Sequence, residues 1–239
     1  MAKSHGAKQQ KKVAKQKAKR QEKRSELLRR DSKDPTIRLQ RAEKWPIVHS
    51  FVGKQLWQDG IGYLLLSRRD SEGGLVFGSY LVDTYCLGVK DCFWKASTTG
   101  EFNEILKKME QTQVMVPIDP ACLVKIIKGA VDYALSFGFR PHHDFRHASM
   151  LLAGIDPSTC KQEFTFGRDG KPFYIQGPNE SLAEARAIAE RINSAGGHFV
   201  TVVRDDQTEE FPALEDDSEY DDDDDEYEVG DNTFVLPKS

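Results

Sequence analysis

No stretch of this chain approaches the roughly 20 consecutive apolar residues that a membrane-spanning helix requires. The longest apolar cluster, around Leu64-Leu65-Leu66, has the length of a strand, so no membrane partner is expected. The first residues are charged and lack the apolar core of a secretory leader, which reads as a cytoplasmic protein. Cysteine is scarce. Cys86, Cys92, Cys122 and Cys160 are scattered without CxxC spacing and are expected to be reduced thiols. GxSxG, P-loop, GxGxxG and HExxH strings are all missing, so no local motif specifies a serine hydrolase, a nucleotide cradle, a dinucleotide fold or a zinc protease. No cofactor is expected, and whether the chain is an enzyme stays open.

What is present is charge, unevenly placed. The 239 residues carry a formal net charge of −4. Residues 1–44 hold 16 Lys+Arg against 5 Asp+Glu, a net +11, while residues 205–239 hold one Lys against 16 acids, a net −15. The intervening 45–204 has 17 of each sign. Three regions follow: a basic, largely disordered arm (1–44), one globular domain (45–204) and an acidic disordered tail (205–239). About 160 residues are enough to bury a substantial core. The arm favours helix but repeats no apolar residue at helical spacing.

Within the domain, local signals predict an α+β or mixed α/β fold, a hairpin-containing sheet packed against helices. Residues 61–69 and 75–86 read as two strands around the turn Asp70-Ser71-Glu72-Gly73-Gly74. Both faces of the second are largely apolar, which predicts a central strand covered on both sides. Gly88 then allows a bend. Residues 47–57 give no clean period. A short helix fits 101–111 and a strand fits 114–118. Asp119-Pro120 begins a helix that Gly138 closes. Residues 164–176 predict a hairpin around Arg168-Asp169-Gly170-Lys171. Ser181 with Glu184 forms a capping box, and 198–203 reads as a last strand.

Four stretches carry candidate chemistry. In RPHHDFRH, residues 140–147, His143 and His147 would share one helix face and chelate zinc if both lay inside the helix. Asp144, however, is a natural N-cap for a helix over 145–153, which leaves His142 and His143 outside it. The expected assignment is a capped helix start with no metal. Arg140, His142, His143 and Arg146 around that helix start would then suit an anion such as phosphate. In LVDTYCLGVKDCFW, residues 81–94, Asp83 and Asp91 could hold a divalent ion if they converge with the His142, His143 and Asp144 corner. The plainer reading ends the strand there, with Asp83 bonded to nearby backbone or to Lys90. Cys86 and Cys92 are too far apart along an unbroken strand to pair, unless Gly88 turns sharply.

Third, Lys8, Lys11, Lys12, Lys15, Lys17, Lys19, Arg20, Lys23 and Arg24 concentrate charge at a density suited to phosphate backbones. Few aromatics interleave, so base stacking is not expected in the arm. Fourth, the acidic run at 215–228 reads as a solvated tail that could also fold back on the arm and compete with nucleic acid.

LVDTYCLGVKD (81–91), together with Gly138-Phe139-Arg140-Pro141-His142 and Asp144, resembles a pattern found in an uncharacterised family of bacterial cytoplasmic proteins. The resemblance spans about 60–155 and excludes both tails. It implies a compartment and carries no activity with it. The functional expectation is therefore binding of RNA or a ribonucleoprotein through the basic arm. The alternatives are a metal-dependent hydrolase or nuclease using Asp83, Asp91 and His142 to Asp144, and an interaction module whose acidic tail recruits a basic protein.

Overall fold

The computed structural model describes residues 19–21, 34–70 and 72–201. The chain divides into a unit up to Val202 and a unit from Val203 onward, and the latter lies outside the described residues. Five antiparallel strands form one sheet in the order β4-β3-β2-β1-β5. They are β1 (Ile47–Gly53), β2 (Ile61–Arg69), β3 (Leu75–Asp83), β4 (Gly88–Ser97) and β5 (Met115–Pro117). β3 lies inside the sheet, between β2 and the edge strand β4, and nearly every residue along it is buried, as an apolar pattern on both faces requires.

Helix α4 (Pro120–Leu135) covers one face. Its Leu123, Ile126, Ile127 and Ala130 pack against Leu64, Leu66, Tyr80, Val82 and Val89. Helix α3 (Thr99–Glu110) covers the other, with Phe102 among Leu65, Leu75, Phe77 and Met115. Both helices are capped as local chemistry dictates. Asp119 accepts from the Ala121 N–H ahead of Pro120, and Thr98 and Glu101 form a capping box. Asp34 likewise caps α1 (Pro35–Arg41), whose Leu39 lies in the main core beside Ala42. The packed structure therefore extends upstream of residue 45.

Arg68 is a buried cation on β2. Its guanidinium donates to the carbonyls of Leu151, Glu43, Trp45 and Ala153. Those bonds tie the sheet to two short 3-10 segments, Ala42–Lys44 and Ser149–Leu152. Burial holds its pKa below the usual arginine value. Four oriented carbonyl dipoles stand in for the water the ion has lost.

Three expectations are corrected. The strand expected over 75–86 ends at Asp83, and residues 88–97 form a strand of their own. The change follows from a turn at Thr84–Leu87 and from Gly88, whose φ is +68°. A Cβ at Gly88 would come within 3.0 Å of the Ala130 carbonyl on α4, so the close strand–helix approach also needs glycine. The hairpin expected over 164–176 reduces to the single bridge between Arg168 and Lys171. Instead β6 (Phe173–Ile175) pairs in parallel with β7 (His198–Val200), joined through helix α6 (Leu182–Ser194). Lastly, the cysteines are not all reduced. Cys122 at the start of α4 is bonded to Cys160, with Cα atoms 5.0 Å apart, closing a 38-residue separation. Sequence spacing carries no trace of that tertiary neighbour.

Among the described residues no helix is long and apolar enough to cross a membrane.

Candidate functional site

The turn Thr84–Leu87 is built on Asp83. One carboxylate oxygen accepts from the N–H groups of Tyr85 and Cys86, both at 2.8 Å, and from Leu87 at 3.3 Å. The carboxylate is buried, and burial pushes its pKa up against the opposing pull of those three donors and of Lys90. Lys90 makes its own ion pair with Glu180, at 2.6 Å. Burial raises the Glu180 pKa, but Lys90, the Tyr174 hydroxyl and the Gly177 N–H together outweigh it and hold the group low.

No hydrogen bond or ion pair among the described residues joins Asp83 to Asp91 or to a histidine. Asp83 Oδ1 is committed to three backbone N–H groups, and among the described residues Asp83 is not part of the group that could hold a metal ion. Cys86 and Cys92 remain free, buried and in separate clusters. Burial raises both thiols, Cys92 to about 12, so neither supplies a thiolate nucleophile at neutral pH.

Asp91 lies on edge strand β4 and faces elsewhere. The His142 N–H donates to the Val89 carbonyl at 2.9 Å, which lays the loop ahead of α5 (Phe145–Ala148) along that edge. His142 Nε2 then stands 3.8 Å from Asp91 Oδ1, and His142 Nδ1 stands 3.9 Å from Asp144 Oδ2. His143 Nε2 is 3.6 Å from Asp144 Oδ1, and the two imidazoles lie 4.1 Å apart centre to centre. One ligand atom from each of His142, His143 and Asp144 falls within 4.8 Å of the others. Asp91, His142, His143 and Asp144 converge; Asp83 and His147 do not join them.

Asp144 is the residue that sequence grammar misassigned. It occupies the N-cap position, but its side chain makes no cap bond and its backbone is already helical, φ −70° and ψ −10°. The helix expected over 145–153 is a single α turn followed by the 3-10 segment Ser149–Leu152. One turn sums very few peptide dipoles, so the anion site expected from Arg140, His142, His143 and Arg146 at a helix start is not built. With no cap to make, the carboxylate is left to the two histidines.

Of the expected phosphate-binding residues, Lys19 and Arg20 fall in a described helical turn and are exposed. Lys8, Lys11, Lys12, Lys15, Lys17, Lys23 and Arg24 lie outside the described residues, as does the acidic tail. A feature absent from the sequence reading appears at the far end of β2. Trp57, on α2 (Leu56–Asp59), is 39% exposed and stacks on Phe164, with ring centres 5.4 Å apart and planes 7° apart. With Tyr85 and Arg168 it lines a cleft rimmed by Asp59 and Asp169. The Arg168 guanidinium sits 4.7 Å from the Phe173 ring centre. The only sequence signal was an aromatic in each of three stretches remote from one another.

Comparison with family models, with curated proteins and with solved structures found no match. Roles for these residues are therefore argued from their own geometry.

Proposed function

We propose that this protein binds single-stranded RNA, free or within a ribonucleoprotein, through a division of labour. The basic arm neutralises phosphates, and the Trp57–Phe164 shelf stacks bases. The observation that carries the reading is the segregation of charge, net +11 over residues 1–44 against a balanced 45–204. Affinity from such an arm is counterion release and carries no base preference. The arm has no aromatic residue, whereas the cleft offers an exposed indole beside an arginine. Its rim carboxylates, Asp59 and Asp169, make it a poor phosphate site and leave the backbone to the arm.

The acidic tail competes for the arm in this scheme. Its run of five aspartates, residues 221–225, offers phosphate-like charge at a distance that salt screens. A cytoplasmic location goes with the proposal. The Cys122–Cys160 bond weighs against a reducing compartment, and thiol counting on protein quenched directly from cells decides between them.

The test uses single-stranded RNA at two salt concentrations. Deleting residues 1–33, which leaves Asp34 to cap α1, should weaken binding and flatten its salt dependence. Trp57→Ala should weaken binding about 5- to 150-fold with the salt slope unchanged, as for loss of one stacked base. Deleting residues 215–239 should strengthen binding at low salt only. Unchanged affinity and slope in both the arm deletion and Trp57→Ala would overturn the proposal. A tail deletion that weakens binding would point to a basic protein partner for the tail instead.

A further inference from the structure

We propose that His142, His143 and Asp144 form a binding site for one borderline divalent cation of the zinc class, with Asp91 as a positioning residue for His142. This is independent of RNA binding and reverses the expectation of no metal, which rested on Asp144 being consumed as a helix cap. The carboxylate caps nothing.

The donor set fits. Two imidazoles and one carboxylate are the ligand types that zinc takes in three-ligand sites with an open fourth position. Tetrahedral coordination at about 2.1 Å places ligand atoms about 3.4 Å apart. His143 Nε2 lies 3.6 Å from Asp144 Oδ1 and His142 Nδ1 lies 3.9 Å from Asp144 Oδ2, so the two imidazoles face the two oxygens of one carboxylate. All three ligand atoms lie within 4.8 Å. The remaining contraction falls to His143, whose side chain is 76% exposed.

The second observation is the tautomer of His142. The Asp144 N–H donates to His142 Nδ1 at 3.3 Å, so that nitrogen carries the lone pair and Nε2 carries the proton. Nδ1 faces the Asp144 carboxylate, and the Nε2 proton faces Asp91 Oδ1 at 3.8 Å. A metal-bound histidine characteristically donates its other ring N–H to a carboxylate, which sets the ring and raises its basicity. Asp91 stands in that place. A cation at Nδ1 displaces one long, weak hydrogen bond. The loop itself is pinned to the sheet by the His142 N–H to the Val89 carbonyl, so the first ligand is held by a rigid element.

This metal would sit on the rim of a groove that His142 shares with Leu87, Phe139, Arg140 and Arg191. Glu180 and Glu184 line the same groove as those guanidinium groups, so its charge is mixed.

The experiment titrates Co²⁺ into the metal-stripped full-length chain and then displaces it with Zn²⁺. The acidic tail also binds cations, but through oxygens alone. Oxygen-only octahedral Co²⁺ absorbs weakly in the visible, whereas tetrahedral Co²⁺ with imidazole ligands absorbs strongly. The expected result is one strongly absorbing Co²⁺ per chain, displaced by one Zn²⁺. That band should vanish in His143→Ala and in Asp144→Ala, with melting temperatures unchanged. Asp91→Asn should keep the band with affinity reduced 10- to 100-fold. An intense band that survives in His143→Ala, or a wild-type spectrum showing only weak oxygen-ligand absorption, overturns the site. Undiminished affinity in Asp91→Asn removes Asp91 from it.

Discussion

Two polar clusters flank the start of β4, and they are opposites. At the turn after β3, one oxygen of a buried carboxylate collects three backbone N–H groups. At the loop before α5, two carboxylates and two imidazoles approach one another at 3.6 to 3.9 Å without one direct side-chain hydrogen bond among them. The first cluster is spent on holding the chain in place. The second commits only His142 Nδ1, to one long bond of 3.3 Å from the Asp144 N–H. Polar residues that stabilise a fold are satisfied by their neighbours, whereas residues that serve a ligand are held close and left wanting. The sequence reading expects both Asp83 and Asp144 to bond nearby backbone; only Asp83 does so through its side chain.

The contrast predicts a steep order of mutational effects. Asp83→Ala should cost about 4 kcal/mol in chemical denaturation, since two buried N–H groups and one part-buried one lose their acceptor at about 1–3 kcal/mol each, less whatever water recovers. A loss below about 1 kcal/mol would show that the turn is held by something else. Asp83→Asn keeps an acceptor oxygen and should cost far less, with a telling pH dependence. Burial raises the folded-state pKa of Asp83, so the folded chain binds the proton more tightly than the unfolded chain does. The stabilisation is complete below the unfolded value of about 3.9 and is lost as pH rises through the raised folded value. Wild type should therefore gain on Asp83→Asn as pH falls toward 4. A gap that narrows on acidification would mean that the three donors outweigh burial.

Removing the bridge with Cys122→Ser and Cys160→Ser together should cost about 4 kcal/mol, in line with a loop of 38 residues. That places it level with the turn. The same loss should appear when wild type is reduced, and a reduced wild type of unchanged stability would make the bridge incidental. At the bottom of the order, Asp144→Ala and His143→Ala should each change stability by less than about 0.5 kcal/mol, as at exposed sites without special roles. A loss near 1 kcal/mol for Asp144→Ala would restore it as a helix cap and dissolve the distinction between the two clusters.

The residues explain why some of this was legible beforehand. Asp119 with Pro120 and Ser181 with Glu184 each cap a helix using partners within three positions, and both helices start where those signals stand; the Thr98–Glu101 box starts its helix at Thr99, two residues before the expected 101. The central strand was readable because β3 has apolar residues on both faces. The same local grammar failed at Asp144. A cap signal needs a helix behind it, and the chain there must tuck Leu151 and Leu152 into the core while offering the Leu151 and Ala153 carbonyls to Arg68. That demand tightens the helix to a 3-10 path after one turn.

Charge segregation, the capped helices and the double-faced strand are properties of residues within a turn or two of each other, and sequence order alone states them. The Cys122–Cys160 bond, the parallel pairing of β6 with β7 and the Trp57–Phe164 stack join residues tens of positions apart. The meeting of Asp91 with His142 is of the same kind. Such partners are chosen by how the helices pack on the sheet, because loop closure costs little more for a distant residue than for a near one, and the core decides which of them arrive together.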